Sequence, residues 1–191
     1  MDWDDQDQIG RGRRLLLSQS IIVLLASIIC LMNQRMNAPA LLPHPVMLWV
    51  LKSMLLLLGI AALPPGFSML ADPSGKGVGF PEGALSGSPF SSYFVPGLLL
   101  TVFIGLLPLT AWYALWKKPE SALMQGFNPF PGIHWAWTAA LVSGIGLAIW
   151  IIVQVLMVPY FFLQPLMFSW GAFIVLLCYA PGVKRYYELR H

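Results

Sequence analysis

The sequence predicts an all-α integral membrane protein: a helical bundle with a four-helix core and an N-terminal fifth transmembrane helix. Two observations carry this expectation. Only 10% of the 191 residues are charged and 58% are hydrophobic, whereas a soluble domain carries about 25% charged residues. So few charges cannot build a water-facing surface, so lipid must cover most of the outside. The apolar residues also fall into runs close to the about 20 residues that a helix needs to cross a bilayer. The length fits one domain of about five such helices, with little left for a soluble module.

In chain order, residues 1–14 form a polar N-terminal tail, with Asp2, Asp4, Asp5 and Asp7 ahead of Arg11, Arg13 and Arg14. The first apolar segment, 15–32, spans about 27 Å as a helix. Basic residues before an apolar stretch also describe a signal peptide, and an interfacial helix fits too. The segment exceeds a usual signal core and lacks a clear small-x-small cleavage site, so a retained helix is expected. A short loop with Pro39, Pro43 and His44 leads to the second segment, 46–70. Pro64 and Pro65 each remove a backbone donor there, which predicts a kink or an end.

Residues 71–94, ADPSGKGVGFPEGALSGSPFSSYF, carry five glycines and three prolines, which argues against a helix. The scattered aromatics Phe80, Phe90, Tyr93 and Phe94 predict a compact loop lying on the membrane interface. The third segment is 95–116. Pro96 falls in its first turn, where a missing N–H costs little, and Pro108 falls in its interior, where a kink is expected. A second polar loop, 117–134, precedes the fourth segment, 135–158. The fifth, 165–180, is short, and a basic, aromatic C-terminal tail, 181–191, closes the chain.

Orientation is weakly determined. With five spans, Arg11, Arg13, Arg14 and Lys76 share one side, and Arg35, Lys117, Lys118, Lys184, Arg185 and Arg190 the other. Basic residues in short loops favour the cytoplasm, so four against six places the second group inside. If the first segment does not span, every basic cluster is cytoplasmic.

Small residues recur every four positions at Gly97, Thr101 and Gly105 in the third segment, and at Ala140, Gly144 and Ala148 in the fourth. Such spacing lets backbones approach closely in lipid, and predicts that the third and fourth helices pack on each other. Trp112, Tyr113, Trp116, Trp135 and Trp137 flank the 117–134 loop as an interfacial belt. Gln19 and Gln154 are uncharged polar groups expected to bond across helices.

Lys52 is the one ionisable residue well inside an apolar segment, and no Asp or Glu lies inside such a segment to pair with it. A central charge costs at least about 2.5–3.5 kcal/mol on insertion scales. Lys52 sits about 10 Å into its helix, within reach of the headgroups by snorkelling; the competing reading is a functional site. In the first loop, Asp72, Ser74, Lys76 and Glu82 form the densest polar cluster. Asp-Pro and Ser-Gly there are turn chemistry; the functional reading is a lipid-headgroup or small-solute site.

Several chemistries lack support. There is no G-x-S-x-G, H-E-x-x-H, C-x-x-C or Walker sequence. His44, His134 and His191 lie apart, so neither a metal nor any other cofactor is expected. Cys30 and Cys178 lie in apolar segments and read as buried thiols. A net charge of +3, small and scattered, gives no reason to expect nucleic acid. Membrane lipids are the expected partners, with other membrane proteins or a second copy of the chain as candidates.

Four short runs carry a resemblance: Asp72 to Gly75 (DPSG), Gly79-Phe80-Pro81, Ser88-Pro89-Phe90 and Pro96-Gly97. With the later Trp150 to Gln154 run and Pro165-Leu166, they make residues 55–185 resemble a group of uncharacterised small bacterial polytopic membrane proteins. The resemblance implies a four-helix core and a bacterial membrane, such as the inner membrane, and nothing catalytic.

The function this favours is a non-enzymatic accessory or structural membrane component. The alternative is a small transporter, channel or lipid-handling protein using Lys52 and the 71–94 loop. A third reading is an intramembrane lipid enzyme with Asp72 and Ser74 as its candidates.

Overall fold

Six helices make up the part of the chain that the computed structural model describes, residues 44–79, 85, 88–157 and 162–189. The first apolar segment with Gln19 and Cys30, and the loop residue Glu82, lie outside the described residues. Helix α1 is His44–Ala71, and α2 is Phe94–Lys117, with a wide π-helical stretch at Leu100–Leu106. Helix α3 is the short Ala122–Gly126, α4 is Trp135–Met157, α5 is Leu163–Cys178 and α6 is Pro181–Tyr186. Three of them, α1, α2 and α4, are long and apolar enough to cross a membrane. Helix α5, at 16 residues, spans about 24 Å.

The outer faces of these helices are apolar. Leu57, Ile60 and Phe67 on α1, Leu98, Phe103 and Leu106 on α2, Ile145 and Ile149 on α4, and Phe173 on α5 all point outward. Contiguous apolar surface on this scale would drive aggregation in water; it suits lipid.

Of the kink or end expected at Pro64 and Pro65, the end does not occur. Helix α1 runs unbroken through Pro64 and Pro65. Contacts with α2 hold it on both sides of the pair, because Leu63 packs over Gly105 and Gly66 lies against Thr101. Neighbouring helices commonly make proline tolerable in this way. In α2 the π stretch absorbs Pro108. Leu107 N–H bonds back to Val102 O, five residues earlier, so the wide turn resets the ladder. Pro108 then stands in the opening positions of a new α segment, where no donor is required.

Two seams hold the bundle. In the first, α1 and α2 run antiparallel. A Cβ on Gly97 would lie 2.6 Å from Met69 Cβ, one on Gly59 would lie 2.9 Å from Gly105 O, and one on Gly66 would collide with Thr101 Oγ1. Thr101 is buried, and its hydroxyl donates to Gly97 O at 2.8 Å. In the second, α4 and α5 run antiparallel with Gly144 facing Gly171. The third and fourth segments do pack on each other, as α2 and α4, but their small-residue stripes meet other helices. The Gly97–Thr101–Gly105 stripe meets α1, and Gly144, in the Ala140–Gly144–Ala148 stripe, meets α5. Spacing marks a face of one helix but does not name the face it meets.

This antiparallel arrangement gathers the start of α1, the end of α2, the start of α4 and the end of α5 at one end. Lys52, Lys117, Lys118, Lys184 and Arg185 lie at or near it, whereas the opposite end holds Lys76 among the described residues.

Candidate functional site

The 71–94 loop, as far as it is described, is a chain of capped turns. Asp72 Oδ1 accepts from Ser74 N–H at 3.1 Å and Oδ2 from Gly77 N–H at 3.3 Å. Ser74 Oγ in turn accepts from Lys76 N–H at 3.3 Å. Hydrogen bonds from the Ser74 side chain and backbone hold the Asp72 carboxyl below the usual carboxylate range. Gly75 has φ 78°, and a Cβ there would lie 2.5 Å from the Tyr93 ring, so both conformation and space demand glycine. Tyr93 N–H closes the loop by donating to Pro73 O at 2.9 Å.

Asp72, Ser74 and Lys76 are thus brought together, but in a turn whose side-chain oxygens bond its own backbone. An acid–base or nucleophilic role would need those oxygens aimed at a substrate, which argues against the lipid-enzyme reading. Lys52 lies twenty residues before Asp72, which directly follows the helix that holds Lys52, about 30 Å away, so it forms no site with them.

Lys52 is half-buried on the outside of the bundle. Its Nζ lies 4.3 Å from the centroid of the Trp116 ring, which meets Trp49 edge-to-face at 5.0 Å. Both indoles are exposed. A cation on an aromatic face is worth about 0.5–1 kcal/mol at an exposed site, and the aromatic pair marks the headgroup level.

The most organised polar structure is the one at this same end, formed by the 117–134 loop and the C-terminal residues. Helix α2 ends at Lys117 and is capped by Lys118, whose φ of 46° is left-handed. The next residue is Pro119, which has no N–H, so Leu115 O loses the partner a continuing helix would provide. The Tyr187 hydroxyl replaces it, donating to Leu115 O at 2.9 Å from a side chain that is 1% exposed. Burial, with Tyr186 and Cys178 adding to it, pushes the Tyr187 phenol well above its usual value, so it stays a donor.

Around that bond the strands of chain are stitched together. His134 N–H donates to Tyr187 O at 2.8 Å, and Leu189 N–H to Gly132 O at 2.9 Å, on either side of an antiparallel bridge between Ile133 and Glu188. Lys118 Nζ donates to Tyr186 O at 3.2 Å and lies 3.5 Å from the centroid of its ring. Trp137 Nε1–H donates to Cys178 O at 2.8 Å, and Trp135 Nε1–H to Pro119 O at 3.0 Å. Residues 181–189 are therefore not a free tail: they form a helix and a return that cap the bundle.

His134 sits inside this cap. Its Nδ1 accepts from Ala136 N–H at 3.2 Å, and its Nε2 is buried without a well-formed hydrogen bond. Burial first, and then the Lys118 charge, hold its pKa below the usual histidine value; the Lys118 and Pro119 backbone and Glu120 act the other way.

The roles of Tyr187 and Lys118 in the cap are not evident from sequence, although one signal is present: Lys-Pro after an apolar helix leaves an orphan carbonyl that some donor must fill. Among the described residues, no group of three or more His, Cys, Asp or Glu could hold a metal ion. No protein-family model matches this chain, and the searches of curated proteins and of solved structures found no significant match.

Proposed function

We propose that the chain is a non-enzymatic, multi-pass membrane component, accessory or structural in kind, with a four-helix core formed by α1, α2, α4 and α5. Its capped, basic end lies on the cytoplasmic side of a bacterial inner membrane. One observation carries the reading. Four polar side chains at the membrane ends are engaged with the chain's own backbone: Asp72 and Ser74 in turns at one end, Tyr187 and Lys118 in the cap at the other. They are used for holding shape. The excess of basic residues at the capped end supports the orientation, and Lys52 serves as an interfacial anchor seated on Trp116.

The test is Lys52→Met in purified protein reconstituted into vesicles. An anchor contributes about 1 kcal/mol or less, so the variant is expected to keep the wild-type assembly state and wild-type solute permeability. A solute flux or hydrolytic turnover in the wild type that Lys52→Met abolishes would overturn the proposal.

A further inference from the structure

The loop between α2 and α4 is built inside out. Glu120 at its start is exposed, but the polar side chains that follow, Ser121, Gln125 and Asn128, turn inward. Gln125 Nε2 donates to Ile133 O at 2.9 Å, and Gln125 Oε1 accepts from Trp135 N–H at 3.0 Å. Asn128 Nδ2 donates to Ile133 O at 2.7 Å, and its Oδ1 accepts from Phe130 N–H at 3.1 Å and from the Thr138 hydroxyl at 2.7 Å. Ser121 Oγ caps α3 by accepting from Met124 N–H at 3.3 Å. The apolar side chains turn outward instead: Leu123 is 65% exposed, Met124 46% and Phe127 82%. Each apolar Å² left in water costs about 25 cal/mol, so in water this polarity is upside down.

The loop's depth says what the surroundings are. The Asn128–Thr138 bond sets Asn128 beside a residue three positions into α4 from Trp135, about 4.5 Å inside the start of that helix. Phe130 packs edge-on against Trp137 at 5.5 Å, two positions into the same helix. The loop therefore folds back along the first turn of a helix long and apolar enough to cross the membrane. It does not stand off into solvent. At that level lies the boundary between headgroups and acyl chains, where an apolar face with a polar back is stable.

We propose that the surface formed by Leu123, Met124 and Phe127 is immersed in the lipid leaflet at the capped end, making residues 121–130 an interfacial element that grips the membrane beside α4. The inference rests on the multi-pass reading above and adds a lipid-binding surface to it.

The test places a nitroxide label, one position at a time, on Phe127→Cys, Leu123→Cys, Ile149→Cys and Lys76→Cys. The background is Cys30→Ser, with the buried Cys178 retained. The full chain is reconstituted in phospholipid vesicles, and the accessibility of each label to dissolved oxygen and to a water-soluble nickel chelate is compared. Ile149, outward-facing in mid-α4, is the lipid reference, and the exposed Lys76 is the aqueous one. Labels at 127 and 123 are expected to favour oxygen over the chelate several-fold, as at 149. If 149 reports lipid while 127 and 123 report water, as at 76, this inference fails and the multi-pass reading stands. If 149 also reports water, both fail.

Discussion

Tyr187→Ala is expected to cost about 3–5 kcal/mol of stability, the range for truncating a buried aromatic side chain. Two losses combine. The ring is 1% exposed, so its removal leaves a hole beneath the cap that only a shift of the cap can close. The hydroxyl is the donor for Leu115 O, a carbonyl that Pro119 cannot serve. Tyr187→Phe separates the two: it keeps the ring and orphans the carbonyl, at about 1–3 kcal/mol. Unfolding of the purified protein in mixed micelles, followed through its tryptophans, checks the order Ala worse than Phe worse than wild type. If Tyr187→Ala behaves like Leu189→Ala, at the edge of the cap, then residues 181–189 are not part of the folded unit.

The second large effect is expected at Gly171. A Cβ there would lie 2.8 Å from Gly144 O and 3.2 Å from Ala148 N, and a Cβ on Gly144 would lie 2.9 Å from Gly171 O. These are backbone atoms, so no rotamer change relieves the clash; the helices must separate. In lipid, helix association depends on close packing because exposure to acyl chains carries no hydrophobic penalty. Gly171→Ala is expected to cost about 1–3 kcal/mol, the usual range for overpacking, and Gly171→Val more. Gly146→Ala is the internal control. Nothing lies within 4 Å of its Cβ position, and removing a helix-interior glycine there is expected to gain about 0.5–1 kcal/mol. The same unfolding measurement reads both. Equal effects at 171 and 146 would mean that the α4–α5 seam is not close-packed.

These two residues also show what could be read from the chain. The apolar segments were legible because lipid imposes length and composition on a helix with little regard to its neighbours. Gly144 was legible as part of a small-residue face. Its partner Gly171 was not, since a single sequence gives the face and leaves the pairing to three-dimensional packing. Lys52 stands out in the sequence as an exceptional charge, whereas the ring it meets, Trp116, is marked there only as part of an interfacial belt. Asp72 and Ser74 read as turn residues because Asx and Ser–Gly chemistry is local, acting over two to five positions. The cap was opaque for the opposite reason: Leu115 and Tyr187 are 72 residues apart in sequence. A polar-looking terminal stretch gives no local sign that its tyrosine is needed elsewhere. The π stretch before Pro108 was hidden similarly, because proline predicts a disturbance without saying which way the backbone will resolve it.

The central claim is that the chain threads the membrane so that the 71–94 loop and the cap lie on opposite sides. It is tested most directly by single cysteines at Lys76 and Glu188, both exposed, and a membrane-impermeant maleimide applied to intact cells and then to opened membranes. Helices α2, α4 and α5 lie between the two positions, an odd number of crossings in the proposed four-helix core. The account predicts that Lys76→Cys is labelled in intact cells and Glu188→Cys only after the membranes are opened. Labelling of both from the same side would contradict it.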